Sequence, residues 1–86
     1  MQITVNGINF RFSVHETSSL LVVYVYEAEE GQVGELIGSA TMDHNMEQAF
    51  VDFPEGGQDL DYFEWSQLPA DERGMELARW IAAVAE

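Results

Sequence analysis

The sequence has no cysteine, no lysine and only two prolines, and its three cations are all arginines, at positions 11, 73 and 79. Without cysteine, disulfides cannot staple the fold and thiolate zinc sites are excluded. A cytoplasmic location fits that absence. With so few cations, the chain lacks the basic footprint that holds nucleic acid or an anionic membrane, so neither is expected as a direct partner. The longest apolar run, residues 20–26, is too short to span a bilayer. The opening residues Met1-Gln-Ile-Thr-Val-Asn-Gly show no basic stretch followed by an apolar one, so a secretory leader is not expected.

What is present is acid. Sixteen Asp and Glu give a formal net charge of −13 over 86 residues. Residues 12–72 hold most of these carboxylates and no Arg or Lys. Such a surface attracts basic proteins and speeds their encounter in a salt-dependent way. High charge alone would suggest disorder, but 47% of the residues are hydrophobic and 12% aromatic, as in a globular chain. The length allows one domain, residues 1–86, with one core. The area scaling law predicts a folded surface of roughly 5,000 Å².

Hydrophobic periodicity predicts an α+β fold: an antiparallel sheet of about five strands, in the order β-β-β-β-β-α, packed on one C-terminal helix. Ile3 to Val5 and Ile8 to Val14 flank Asn6-Gly7, the dipeptide suited to a two-residue type I′ turn. Ile8, Phe10, Phe12 and Val14 alternate with polar residues, which predicts one buried face. Residues 20–26 are apolar on both parities, which predicts a central strand buried on both faces or nearly so. Residues 33–42 read as a strand thinned by Gly34, Gly38 and Ala40 for close approach of a helix or another backbone. Residues 48–53 read as a fifth strand. Residues 58–67 fit either a strand or a helical turn. From Pro69 onward, Leu77, Trp80, Ile81 and Val84 fall at i, i+3, i+4 and i+7, with Gly74, Ala78 and Ala85 on the same side.

No catalytic constellation emerges, and an enzyme is not expected. His15 and His44 stand in turns or strand ends among polar residues, without a converging serine and acid. Asp43, His44 and Glu47, or Asp59, Asp61 and Glu64, offer metal-ligand atoms, but the spaced calcium-loop pattern is missing. No metal or cofactor is expected. Gly56-Gly57 reads as a turn whose neighbouring acids repel phosphate.

Two acidic segments stand out. Residues 52–65 hold five carboxylates (Asp52, Glu55, Asp59, Asp61, Glu64) and four aromatics (Phe53, Tyr62, Phe63, Trp65) without a basic residue. Tyr and Trp are favoured interface anchors, and carboxylates beside them pair with Arg or Lys across a contact. Asp52, Glu55, Asp59, Asp61, Tyr62, Glu64 and Trp65 are therefore candidate partner-binding residues. Glu27, Glu29, Glu30 and Glu35 form a second acidic cluster around one hairpin turn, from which Glu27, Glu29 and Glu30 are further candidate partner-binding residues. The expected partner is a basic protein surface. The alternative is an assembly module that homodimerises through an exposed strand edge or Trp65.

In size, acidity and lack of catalytic motif, the chain resembles small phage-encoded inhibitors such as anti-CRISPR proteins and DNA mimics, and bacterial toxin-immunity proteins. The likeness is one of composition and not of motif. It implies a non-enzymatic protein that covers a basic surface where a partner, such as an effector complex, normally holds nucleic acid. Residues 22–42 and 68–78 also resemble part of the GNAT acetyltransferase fold. Of that family's pyrophosphate-loop pattern, Arg73-Gly74 is present, while Glu76 stands where a small residue belongs.

Overall fold

The computed structural model describes the backbone of residues 1–29 and 32–85, and side chains for 1–28 and 34–85. Six strands, β1 (Gln2–Val5), β2 (Ile8–Glu16), β3 (Leu20–Glu29), β4 (Gln32–Asp43), β5 (Gln48–Phe53) and β6 (Gly56–Leu60), precede a short helix α1 (Tyr62–Ser66) and a long helix α2 (Ala70–Ala85). Every strand pairs antiparallel with the next, so the sheet is a meander in the order β1-β2-β3-β4-β5-β6. The α+β architecture matches the sequence reading, with six strands for about five.

Local chemistry explains the elements. Asn6 and Gly7 take φ of 53° and 81°, the left-handed geometry of the expected hairpin turn. The ambiguous segment resolves into both readings in succession: β6 runs to Leu60, and Asp61 then caps α1. The Asp61 carboxylate accepts hydrogen bonds from the Phe63 and Glu64 amides at 3.1 and 3.3 Å. Those amides lack partners within the helix, which is why an N-terminal Asp favours the turn.

The core lies between one sheet face and α2. Phe10, Phe12, Leu21, Val23, Val25, Ala40, Met42 and Val51 meet Leu77, Ala78, Ile81 and Ala82 of the helix. Small residues allow the approach. A Cβ on Gly38 would stand 2.7 Å from the Ile81 Cγ2, and one on Gly74 would stand 2.6 Å from the Val14 Cγ2. Gly38 fulfils the expectation of a thin strand under a helix. Val84, expected on the apolar stripe, lies past the core and is half exposed.

Residues 20–26 depart from expectation. Leu21, Val23 and Val25 are buried, but Val22, Tyr24 and Tyr26 point to the opposite face, which no element among the described residues covers. On that side Val22, Tyr24 and Tyr26 are half-buried. β4 also carries two register shifts against β3, at Val25/Tyr26 and between Tyr26 and Ala28. These bulges place Leu36 opposite Tyr26 and bend the hairpin end.

Candidate interaction surfaces

Strand register assigns the residues of the uncovered face, since directly paired residues share a side. Arg11, Tyr26 and Leu36 form one row across β2, β3 and β4. Ser13, Tyr24, Ser39, Asp52 and Gly57 form the next, from β2 to β6. His15, Val22, Thr41, Phe50 and Asp59 form the third. The centre is aromatic and hydroxyl-bearing. His15 packs edge-on against Tyr24 at 6.0 Å between ring centroids. The β5–β6 flank carries Asp52 and Asp59 around Phe50, which is 46% exposed. The β2 flank carries Arg11, whose Nε is buried without a hydrogen-bond partner.

A second surface lies at one end of the sheet. The β3–β4 hairpin, the β5–β6 turn and the C-terminal end of α2 arrive there together. Two shallow hollows flank Ile37 and Ala85. One, about 230 Å³, includes Glu27 and Ile8 in its lining. The other, about 270 Å³, includes Glu35, Leu36, Phe53, Pro54 and Glu55. The last turn of α2 has no basic residue. Its unpaired carbonyls therefore add their partial negative charge to three carboxylates. This end is a negative pole.

The candidate residues from the sequence are thus redistributed. The 52–65 segment is not one ridge, because a strand, a turn and a helix intervene and point its acids in three directions. Asp52 and Asp59 lie on the open face and Glu55 joins the pole beside Glu35. Asp61 spends its carboxylate on capping α1. Tyr62 is half-buried and its hydroxyl lies 2.9 Å from the His44 Nδ1. Trp65 packs edge-on against Trp80, at 6.2 Å between centroids, beside the core. Glu64 is exposed on α1, next to Phe63, which is 58% exposed. Glu27 lies at the pole, while the Glu29 side chain and Glu30 fall outside the described residues. Sequence reasoning grouped Glu35 with Glu27 but could not bring Glu55 to them, and it missed Arg11, Tyr24, Tyr26 and Phe50 as one surface. The signal for the latter was the second parity of β3, where Val22, Tyr24 and Tyr26 stand where a solvated face is ordinarily polar, with Phe50 as the one aromatic on that parity of β5.

The other two arginines are engaged locally. Arg73 donates from Nε to the Leu68 carbonyl at 3.0 Å and from a terminal nitrogen to the Ser66 carbonyl at 2.7 Å, tying α1 to α2. That use of Arg73 leaves it inside a loop clamp. Arg79 pairs with Glu76 at 2.8 Å on the exposed helix face. Among the described residues, no three His, Asp or Glu side chains converge on a metal-sized site, and no helix is long and apolar enough to cross a membrane. The folded surface is 5308 Å². The chain matches no known family model, and neither a curated protein nor a solved structure is significantly similar to it.

Proposed function

We propose that this chain is a non-enzymatic acidic binding protein that covers a basic, nucleic-acid-binding surface of a partner protein, and that the negative pole is its contact. The observation that carries this reading is the meeting of Glu27, Glu35 and Glu55, drawn from both acidic stretches of the sequence, around the C-terminal end of α2. An even spread of 13 net charges over 5308 Å² would place only about two under a standard interface of roughly 800 Å² per partner. The pole gathers three carboxylates and a helix end in one place. Ile37 and Ala85 line both hollows, so a basic surface meets charge beside apolar area.

The test is capture from a nuclease-treated lysate with three baits of matched design. One is wild type, one carries Glu27→Gln, Glu35→Gln and Glu55→Gln, and one carries Asp71→Asn, Glu72→Asn and Glu76→Gln on the outer helix face. The expected result is a nucleic-acid-binding protein held by wild type and by the helix variant, lost by the pole variant, and released by added nucleic acid. Equal loss from both variants would reduce the effect to diffuse charge and overturn the assignment.

A further inference from the structure

The uncovered sheet face is built differently from the pole, and its charge pattern is complementary to itself. We infer that it is covered by a second copy of this chain, related by a two-fold axis that runs parallel to the strands between β3 and β4. Such an axis lays β3 over β4, β2 over β5 and β1 over β6. Row by row, Tyr26 then faces Leu36, Tyr24 faces Ser39, Val22 faces Thr41, His15 faces Phe50 and Ser13 faces Asp52, each twice. Arg11 stands one row along from Ser13, two residues or roughly 7 Å. Its guanidinium therefore reaches the partner's Asp52 carboxylate across the interface. The Arg11 Nε is buried within its own chain, so this contact falls to the terminal guanidinium nitrogens.

The choice of axis follows from charge. A two-fold axis perpendicular to the strands lays β5 over β5 and brings Asp52 and Asp59 of the two copies together with no cation between them. The parallel axis puts no acid of these rows over an acid. The apolar centre suits an interface core, where aromatics are enriched and charges depleted. Six strands about 4.8 Å apart span roughly 24 Å, and their 4 to 12 residues run roughly 14–41 Å. That footprint is of the order of the roughly 800 Å² per partner that a specific interface removes from water. Aligned packing of two sheets is a standard solution for such faces.

The net charge of −13 per copy opposes association, but it acts at longer range. The poles lie on the helix side of each sheet. With layers about 10 Å apart, the two α2 helices of the dimer stand roughly 30 Å from one another. That is more than three Debye lengths at physiological salt. The axis parallel to the strands also keeps both poles at the same end, so one basic surface can engage both and gain avidity. This last consequence rests on the function proposed above. The dimer itself does not, and its test uses the purified chain alone.

Sedimentation equilibrium in moderate salt is the measurement. Wild type is expected to dimerise, with association strengthened by added salt. Arg11→Asp and Asp52→Arg should each weaken the homodimer by about tenfold or more, since each places like charges across the axis twice. Mixing the two variants should restore dimerisation, because both interface pairs then join opposite charges. Arg11→Gln and Asp52→Asn, which remove charge without reversing it, should each weaken it less. They read the same contact if a reversal variant loses its native circular dichroism. A wild type that remains monomeric up to its solubility limit overturns the inference. So does a dimer indifferent to all four substitutions, or a mixture that shows no rescue.

Discussion

The two faces of the one sheet are lined by comparable numbers of large side chains, yet only one has a cover. On the helix side the strands present Gly38, Ala40 and Ala49 beneath Leu77, Ala78, Ile81 and Ala82. Small residues there bring backbone close to backbone, and the larger ones fill what remains. On the open side the strands present Tyr24, Tyr26, Val22 and Phe50, with hydroxyls and carboxylates between them. The difference is one of specification. The covered face is shaped for one helix at one distance, whereas the open face is amphipathic and carries no such shaping. An apolar face alone does not say where a core is; the small residues opposite it do.

The largest expected effect lies where that shaping is tightest. Ile81→Ala removes a fully buried side chain that touches the helix-facing surface at Gly38. It should cost about 2–5 kcal/mol by urea denaturation, the usual range for a buried Ile→Ala change that leaves a cavity. A chain of this size has only about 5–10 kcal/mol to lose. Partial unfolding at room temperature is the expected readout. A loss under about 1 kcal/mol would mean that the helix is not docked as described.

The next effect tests how the helix is held at its start. Arg73→Met keeps the aliphatic stem but removes both hydrogen bonds to the Ser66 and Leu68 carbonyls. A hydrogen bond from a charged donor contributes about 1.5–3 kcal/mol, and solvent access to these half-buried carbonyls places the expected loss near the lower end. Asp61→Ala should follow with about 1 kcal/mol, the usual value of an N-cap. Both are read from denaturant midpoints at unchanged slope.

Asp61 also shows what the sequence made legible and what it did not. The Asn6-Gly7 hairpin, the buried alternation of β2 and the C-terminal helix were readable because each is specified within a few residues. The short α1 was readable in principle: Asp61 stands three residues before Glu64, the spacing of a capped helix start. Alternation through Asp59, Leu60 and Asp61 hid it, because β6 ends only one residue earlier. The two surfaces were another matter. That Glu55 joins Glu35 depends on the pairing of β4 with β5 and on bulges in β4, and the sequence carries no local mark of either. The second side of β3 is half-buried but lacks the cover that a strand apolar on both parities ordinarily has on both sides.

The smallest expected effect is the sharpest measure of the contrast between the faces. Phe50→Gln replaces an aromatic ring that is 46% exposed on the open face. In dilute solution, where the chain is monomeric, this change should move the unfolding free energy by no more than about 0.5 kcal/mol, as for surface substitutions generally. At higher concentration the same variant should weaken self-association, because Phe50 lies across from the partner's His15 in the two-fold arrangement. Thermal melts at two concentrations separate these effects. Wild type should melt higher when concentrated, since a dimer stabilises the fold by mass action. Phe50→Gln should match wild type when dilute and fall below it when concentrated. A variant that is equally destabilised at both concentrations would place Phe50 among the residues that hold the monomer together, and the open face would then belong to the core after all.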